Sequence, residues 1–453
     1  MENTALAAEK RPPSDVSSVV GLLGLSSLTL WIMVCHFWPE LVVAFGINAP
    51  AERLSGPNAA LMGLVFAAVP MVLWSVLVEK VHRRPTTGID WSLRRPLSDV
   101  LDISITKLAG LWATWALIGF LYCMGRWYWR DPYLFAMDVL SVAVLPMFLL
   151  SIPYVLWLDR RLVNPRDPSW HFGAMLIGRE AWEIDQVWIH LRAWAVKGFF
   201  TAFMIMIVPG GFTNLVAPDW SEFFVTPVGI STLLITLMFV IDEQIGTVGY
   251  ILTMKPLDAQ IRSANPFLAG WLAALVCYPP FQLMNPPTQP LFYLHNTYGD
   301  DNWFHFFDGQ PVMLWIWAAL LVFLTACYAW ATVAFGIRFS NLTYRGVLTN
   351  GPYAFTRHPA YLSKNLFWWC ASMPFFVTNG TIADVARNTF FLGCVSAIYF
   401  WRAKTEEKHL LAEDPKYREY WDWMESRGLI TSRLVRLRGA ILGRRTSALQ
   451  AAE

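Results

Sequence analysis

The sequence has few charged residues for its length. Asp, Glu, Lys and Arg together make up 15% of the 453 residues, whereas 55% are hydrophobic and the mean hydropathy is +0.40. A soluble globular chain carries about 25% charged residues, so this composition excludes an ordinary soluble protein. The formal net charge of +2 gives no reason to expect a nucleic-acid partner. The chain is therefore predicted to be a polytopic membrane protein.

The sequence also lacks paired cysteine motifs. Its six cysteines stand singly in apolar stretches, and no two of them have CxxC spacing. A disulfide framework or a zinc site would need such grouping. The thiols are therefore predicted to pack as small apolar side chains, and no metal site is predicted.

Long apolar runs predict about ten membrane-spanning helices, because a helix of about 20 apolar residues crosses a bilayer. No repeat and no separate soluble domain is visible in the sequence. The predicted fold class is therefore an all-α, polytopic integral membrane protein. The runs lie at about 19–44, 58–78, 108–124, 134–158, 199–217, 228–252, 266–284 and 312–335, followed by two shorter ones at about 366–377 and 389–401.

The distribution of basic residues supports this topology. If the amino terminus is inside, all but four of the 35 Lys and Arg residues fall in segments on the inner side, as the positive-inside rule expects. Both termini are therefore predicted to be cytoplasmic, in a bacterial inner membrane or an equivalent membrane. The four exceptions are Arg53, Arg126, Arg130 and Arg387.

These patterns divide the chain into four regions. Residues 1–18 are predicted to be a disordered cytoplasmic lead-in, and residues 19–335 a membrane region of about eight helices with no assigned role. Residues 336–425 contain two polar clusters and two short membrane helices and are predicted to be the catalytic region. Residues 426–453 alternate apolar residues with arginines, and this basic amphipathic tail is predicted to lie on the anionic inner leaflet.

The first polar cluster, Thr343–Tyr361, reads TYRGVLTNGPYAFTRHPAY. Asn350-Gly351-Pro352 should break a helix, because Gly permits positive φ and Pro disfavours the α region for the preceding residue. His358-Pro359 repeats that break, so the next helix is predicted to begin with Pro359 in its first turn. A backbone bent twice beside Arg and His side chains suits an anionic or zwitterionic small molecule.

A second polar cluster follows after one more apolar run. It contains Arg402, Glu406 and Glu407, and the sequence KYREY at 416–420 comes soon after it. The positive-inside pattern puts both clusters on the cytoplasmic side, so they are predicted to form one site facing the cytoplasm.

The combined motifs GPYxxxRHPxY, RxxxEExxL and KYxxY resemble the isoprenylcysteine carboxyl methyltransferase and phospholipid methyltransferase superfamily. The resemblance covers about 341–420, less than a fifth of the chain. At two places the sequence departs from the pattern. Arg345 stands where many members carry a His, six residues before the motif glycine, and Ser363 and Lys364 stand where they carry a Gly.

The resemblance implies an integral membrane enzyme that uses S-adenosylmethionine. That cofactor has a carboxylate for Arg357 and His358, an ammonium and ribose hydroxyls for an acidic side chain, and a sulfonium for aromatic faces. The predicted cofactor-binding residues are Gly351, Tyr353, Arg357, His358, Tyr361, Glu406 and Glu407, and the predicted catalytic residues are Arg402, Glu406 and His358.

The predicted acceptor is lipophilic and reaches the site from the membrane lipids. A prenyl-thioether carboxylate needs no general base, whereas a phospholipid or other lipid amine must lose a proton to Glu406, Glu407 or His358. The sequence leaves both acceptors open. Arg402 and Glu406 are four residues apart on one helical face, so a simple ion pair between them is an alternative to a catalytic role.

Two other functions stay open on the sequence alone. A membrane reductase of the sterol type has a similar carboxy-terminal fold and would bind NADPH in place of S-adenosylmethionine. A transporter is suggested by Asp242 and Glu243, which fall inside a predicted span where charge is costly. Pairing of these two acids with Lys255 or Arg262 is the structural alternative.

Overall fold

The protein is built almost entirely of helices in a computed structural model that describes residues 10–126, 129, 133–179, 181–281, 303–376, 381–437 and 439–440. The predicted all-α class is therefore confirmed. Strands β1 (Ser263–Ala264) and β2 (Thr343–Tyr344) form a short antiparallel pair within the described residues. Arg130, residues 1–9 and most of the basic tail beyond residue 437 lie outside the described part.

The helices, numbered in chain order, differ widely in length. They are α1 (Ser18–His36), α2 (Trp38–Phe45), α3 (Pro57–Leu73, continued by a π-helical turn over Trp74–Val78), α4 (Leu97–Gly125), α5 (Leu134–Asp159), α6 (Pro168–Leu176), α7 (Ile184–Val216), α8 (Pro227–Ile251), α9 (Leu268–Leu275), α10 (Trp303–Phe306), α11 (Pro311–Phe335), α12 (Pro359–Ser372), α13 (Ile382–Glu413) and α14 (Pro415–Arg427). Short 3₁₀ turns lie at Val81–Arg83, Pro85–Thr87, Trp220–Val225, Lys255–Leu257, Gly336–Arg338 and Gly351–Ala354.

Seven of the helices in the described residues are long and apolar enough to cross a membrane: α1, α3 with its π turn, α4, α5, α7, α8, and α11 with the 3₁₀ turn that follows it. The chain is therefore a multi-pass membrane protein. The other three predicted spans correspond to the eight-residue α9, the 14-residue α12 and the 32-residue α13. The first predicted span, 19–44, is divided into two helices. Helix α1 ends at His36, and α2 begins at Trp38 with Pro39 in its first turn.

Helix α8 lies at the centre of the bundle and packs against α1, α3, α7 and α11. Close packing is possible because small residues stand at the contacts. A Cβ on Gly249 of α8 would lie 2.4 Å from the Phe339 carbonyl oxygen, and one on Gly21 of α1 would lie 1.8 Å from the Val333 carbonyl oxygen. Helices α1 and α8 thereby hold the carboxyl end of α11, from which the predicted site begins.

Arg345 joins the ends of these central helices. Its buried guanidinium donates hydrogen bonds to five backbone carbonyls, those of Gly249, Leu252, Ala259, Ile337 and Phe339. The last carbonyls of a helix have no partner within the helix, and Arg345 supplies donors to them at the end of α8. Burial, followed by the charge of Arg338, lowers the Arg345 pKa to about 9, so the side chain stays protonated at neutral pH. Arg345 thus has a structural role, because its hydrogen bonds go to backbone carbonyls of the fold.

The polar residues 10–17, which precede α1, contact the carboxy-terminal part of the chain. Asp15 exchanges backbone and side-chain hydrogen bonds with Val347 and lies 2.6 Å from Lys416 Nζ, and Thr349 donates a hydrogen bond to the Pro12 carbonyl. Residues 12–16 of the predicted lead-in therefore contact the rest of the fold. Their backbone groups and the Asp15 carboxylate find partners on the loop after β2 and on α14.

Lys255 and Arg262 do not pair with Asp242. Lys255 Nζ lies 3.1 Å from Asp167, and Arg262 lies 3.2 Å from Asp258. The pairing predicted as the structural alternative for Asp242 is therefore wrong. The reason is that α8 ends at Ile251, so both basic residues lie in the following turns among other carboxylates.

We expect Arg345→Met to unfold the carboxy-terminal part of the bundle more easily. The substitution keeps an unbranched apolar side chain but leaves several buried carbonyls without donors, at about 1–3 kcal/mol for each unsatisfied group. Thermal unfolding in detergent should show a lower midpoint. The control is Arg418→Met on α14, since Arg418 is exposed. Equal midpoints for the two variants would contradict this role of Arg345.

Candidate functional site

Both predicted polar clusters line one cavity. It lies where the carboxyl end of α11, the loop after it, the start of α12, the second half of α13 and α14 meet. Eight tyrosines stand in its wall, together with cations and one acid. The wall includes the side chains of Tyr278, Tyr328, Asn341, Tyr353, Arg357, His358, Tyr361, Lys364, Tyr399, Arg402, Glu406, His409, Tyr417 and Tyr420.

The predicted backbone breaks are present. Gly351 has φ +57° and opens the 3₁₀ turn Gly351–Ala354, and α12 begins at Pro359. A Cβ on Gly351 would lie 3.3 Å from both Ala334 and Trp330 of α11. Gly351 therefore has a packing role, because the turn needs positive φ and a close approach to α11. Its predicted place against the cofactor stays a prediction.

Glu407 ties the first cluster to the second. Its side chain is 4% exposed, and its carboxylate lies 3.1 Å from Arg357 Nε, 3.0 Å from His358 Nε2 and 2.6 Å from Lys404 Nζ. The Arg357 guanidinium also lies 3.5 Å from the centre of the Trp421 ring. Glu407 was predicted to bind cofactor, and its oxygens contact the side chains of Arg357, His358 and Lys404. It positions Arg357 and His358, which reach the cavity.

The Glu407 carboxylate is ionised at neutral pH. Burial by itself would raise the Glu407 pKa, but the contact with His358 and the charges of the neighbouring cations outweigh burial and hold the pKa below the usual 4.5. A buried carboxylate without such partners would shift in the opposite direction. The ion pairs of Glu407 with Arg357 and Lys404 are therefore present over the physiological pH range.

Glu406, the neighbouring acid, faces the cavity instead. It accepts a hydrogen bond from the Tyr361 hydroxyl. The Tyr361 ring stacks near His358, with ring centres 5.7 Å apart, and lies 5.7 Å from Tyr399. Adjacent residues on a helix point about 100° apart, which explains why Glu406 and Glu407 have different surroundings. Sequence reasoning treated the two acids as equivalent, and they are not.

Arg402 lies one helical turn before Glu406, but the two do not form an ion pair within the described residues. Arg402 Nη2 lies 3.1 Å from Asn341 Oδ1, and its guanidinium lies 5.1 Å from the centre of the Tyr361 ring. Asn341 is fixed in turn, because its amide donates to the hydroxyls of Tyr250 and Tyr278. Arg402 is only 4% exposed, and its Nε has no hydrogen-bond partner among the described residues. The predicted simple pairing of Arg402 with Glu406 is therefore replaced by a hydrogen bond to Asn341.

Tyr353 reaches the cavity through the turn that Gly351 permits. Its ring makes an edge contact with Phe335, with ring centres 5.3 Å apart. Its carbonyl accepts a hydrogen bond of 2.7 Å from the Tyr420 hydroxyl of α14. The KYxxY motif therefore supports this turn from the outside, in addition to contributing rings to the cavity.

Sequence reasoning missed several cavity residues. Lys364 was noted only as a departure from the family pattern, and Tyr278 and Tyr399 lie in apolar runs that gave no signal. His409 is 2% exposed and its Nε2 lies 2.9 Å from Ser263 Oγ. Burial, followed by the charge of Arg192, lowers the His409 pKa to about 4, so this imidazole is neutral at pH 7.

Asp242 stands behind the cavity wall and is held by hydroxyl groups. Tyr328 donates a hydrogen bond of 2.7 Å to one carboxylate oxygen, and Thr332 donates to the other. Glu243 points the other way, toward α7, where its Oε2 would lie 2.4 Å from a Cβ on Gly211. The two adjacent acids therefore do not form one joint site.

Comparisons of the chain with models of protein families, with curated proteins and with solved structures found no match. The resemblance to the methyltransferase superfamily therefore rests on the motif residues alone.

We expect the stabilising effect of Glu407 to disappear in acid. Because its pKa is lowered in the folded protein, the carboxylate stabilises the fold above about pH 4.5, the value for a free glutamate, and this contribution is lost as the pH falls through the folded pKa. Glu407→Gln should lower the thermal midpoint at pH 7, since breaking a buried pair costs about 3 kcal/mol, and the difference from the native protein should shrink toward pH 4.

Thermal unfolding in detergent between pH 4 and pH 7.5 measures this difference. Glu419→Gln serves as the control, because Glu419 is an exposed acid on α14 and should give a small difference at every pH. A midpoint difference for Glu407→Gln that is the same at pH 4 and pH 7 would rule out the ionised carboxylate as its cause.

Proposed function

We propose that the protein is an S-adenosylmethionine-dependent methyltransferase whose acceptor is a lipophilic molecule. The observation that carries this proposal is the position of Glu406, an acid on the cavity wall beside a cation, Arg402, and the neighbouring rings of Tyr361 and Tyr399. The motif resemblance supports the same reaction. The positive-inside pattern supports a cytoplasm-facing site, where this cofactor is made.

The cavity residues fit the cofactor on the chemistry of their donors and acceptors. The cofactor carries a carboxylate, an ammonium, ribose hydroxyls, an adenine and a sulfonium. Arg357 and His358 supply donors at one end, and Glu406 supplies an acceptor for an ammonium or for ribose hydroxyls. Tyrosine faces are favourable surfaces for a sulfonium, since an aromatic ring attracts a cation.

When bound, the cofactor would supply an electrophilic methyl group. The protein's contribution is alignment and exclusion of water. Glu407 fixes Arg357 and His358 in place, and the Tyr361 hydroxyl orients Glu406. The tyrosine wall keeps the space around these groups largely apolar. If the methyl acceptor is an amine, Glu406 is better placed than Glu407 to take its proton. The Glu407 oxygens already contact Arg357, His358 and Lys404.

One observation favours a reductase as a second candidate. Tyr328 lines the cavity and its hydroxyl donates to Asp242. In a reaction in which hydride from NADPH adds to a double bond and a proton follows, Tyr328 would supply that proton by turning its hydroxyl from Asp242 to the substrate. The predicted sterol-type reductase therefore remains the competing function, and the cofactor that binds will separate the two.

We expect S-adenosylmethionine and S-adenosylhomocysteine to bind the detergent-solubilised protein, and NADPH not to bind. Isothermal titration calorimetry measures all three. Glu406→Gln should weaken S-adenosylmethionine binding by about tenfold or more, because a charge-assisted hydrogen bond contributes about 1.5–3 kcal/mol. We chose Glu406 because changing Arg357 or Glu407 would also break buried ion pairs.

The matched control is Glu419→Gln, which should bind S-adenosylmethionine like the native protein. Binding of NADPH alone would replace the methyltransferase by the reductase. Full affinity for S-adenosylmethionine in Glu406→Gln would remove Glu406 from the cofactor site.

A further inference from the structure

Lys364 is a cation without an anionic partner. It lies in the second turn of α12, lines the cavity, and is only partly exposed. Its Nζ lies 5.1 Å from the centre of the Tyr328 ring and 5.9 Å from that of Tyr399. It forms no hydrogen bond or ion pair with any residue that the structure describes. An ammonium group in such a place has lost much of its hydration, and two ring faces compensate only in part.

Arg402 is in the same condition on the facing helix, α13. Its one hydrogen-bond partner among the described residues is the neutral amide of Asn341, and its Nε is buried without a partner. The two side chains share the wall of one cavity, and Tyr399 and Tyr361 stand between them, with ring centres 5.7 Å apart. Glu406 lies one turn after Arg402, and the charge of Asp242 acts on Lys364, but neither cation forms an ion pair within the described residues. Two such cations facing one space favour an anion from outside the chain.

The acids nearby do not meet this need. Both oxygens of Asp242 accept hydrogen bonds from Tyr328 and Thr332 and form no ion pair with Lys364 within the described residues. Glu406 accepts from Tyr361. The Glu407 carboxylate contacts other side chains, namely those of Arg357, His358 and Lys404. At one end of the cavity, Arg357 and His358 therefore contact the Glu407 carboxylate. At the other end, Lys364 and Arg402 form no ion pair within the described residues.

We infer that Lys364 and Arg402 form an anion subsite for the acceptor, which binds the carboxylate or phosphate of an apolar-tailed molecule. The word acceptor rests on the proposed methyltransferase function, whereas the binding of an anion does not. The rings of Tyr328 and Tyr399 provide the apolar flanks, and Phe335 of the apolar span α11 also lines the cavity, so a hydrocarbon tail would lie against α11. An acceptor that presents only an ammonium group is disfavoured.

The test compares three probes that share an eight-carbon tail and differ in head group: nonanoate, octyl phosphate and octylamine. Each is titrated calorimetrically into the full-length protein in a neutral detergent without cofactor. At least one of the two anions should bind, and octylamine should bind about tenfold more weakly or not at all. The stronger of the two anions identifies the head group as carboxylate or phosphate.

Lys364→Met should weaken binding of the anion by about tenfold or more, and Lys364→Arg should retain it to within about threefold, because it keeps the charge. Lys408→Met is the matched control, since Lys408 is exposed on α13 and contacts Phe267 instead of the cavity. S-adenosylmethionine affinity should be unchanged in all three variants. Thermal unfolding of each variant, together with retained anion binding in Lys364→Arg, shows whether a loss of binding reflects misfolding.

Three results would overturn the inference. They are tight binding of octylamine, undiminished anion binding in Lys364→Met, and a loss of S-adenosylmethionine affinity in Lys364→Met, which would assign the lysine to the cofactor carboxylate. Anion binding that depends on Lys364 in a protein that does not bind S-adenosylmethionine would uphold the subsite and overturn the methyltransferase.

Discussion

The hydrogen bonding of Arg345 is the constraint on which the site depends. A helix that ends inside a bundle leaves carbonyls that water cannot reach, and several such ends meet after α8 and α11. Arg345 supplies donors to five of these carbonyls at once, including those of Gly249 and Phe339. Since Arg345 directly follows β2, this one side chain fixes where the loop toward Gly351 starts. The polar turn that carries Arg357 and His358 is therefore positioned by the end of a membrane helix.

Charges at the site do two different kinds of work. Glu407 contacts Arg357, His358 and Lys404 and so holds the start of α12 against α13. Glu406, Arg402 and Lys364 line the cavity, where aromatic rings and neutral hydrogen-bonding groups surround them. A group that is already paired gains little from a ligand, whereas an unpaired one gains much. Binding specificity should therefore come from the second set.

Hydroxyl groups make acids tolerable in the membrane region. Asp242 lies in a span, where a charged residue is costly, and it is surrounded by the hydroxyls of Tyr328 and Thr332. The same pattern recurs at the end of α5, where buried Asp159 accepts from Ser104 and pairs with Lys107. Asp242 is thus satisfied by hydroxyl groups on α11, and Lys255 and Arg262 pair with other carboxylates, which is why pairing of Asp242 with either of them was a wrong expectation.

The sequence by itself determined the membrane class, the helical fold and the backbone breaks at Gly351 and Pro359, because apolar run length and Gly and Pro stereochemistry act locally. It also indicated which short stretches meet at one cavity. Only the tertiary structure decided how the charges are shared out. Glu406 and Glu407 are neighbours in sequence with the same chemistry, and the helix rotation between them gives one to the cavity and the other to Arg357. Ion pairing depends on distances between residues far apart in the chain, and these distances are fixed only when the helices pack.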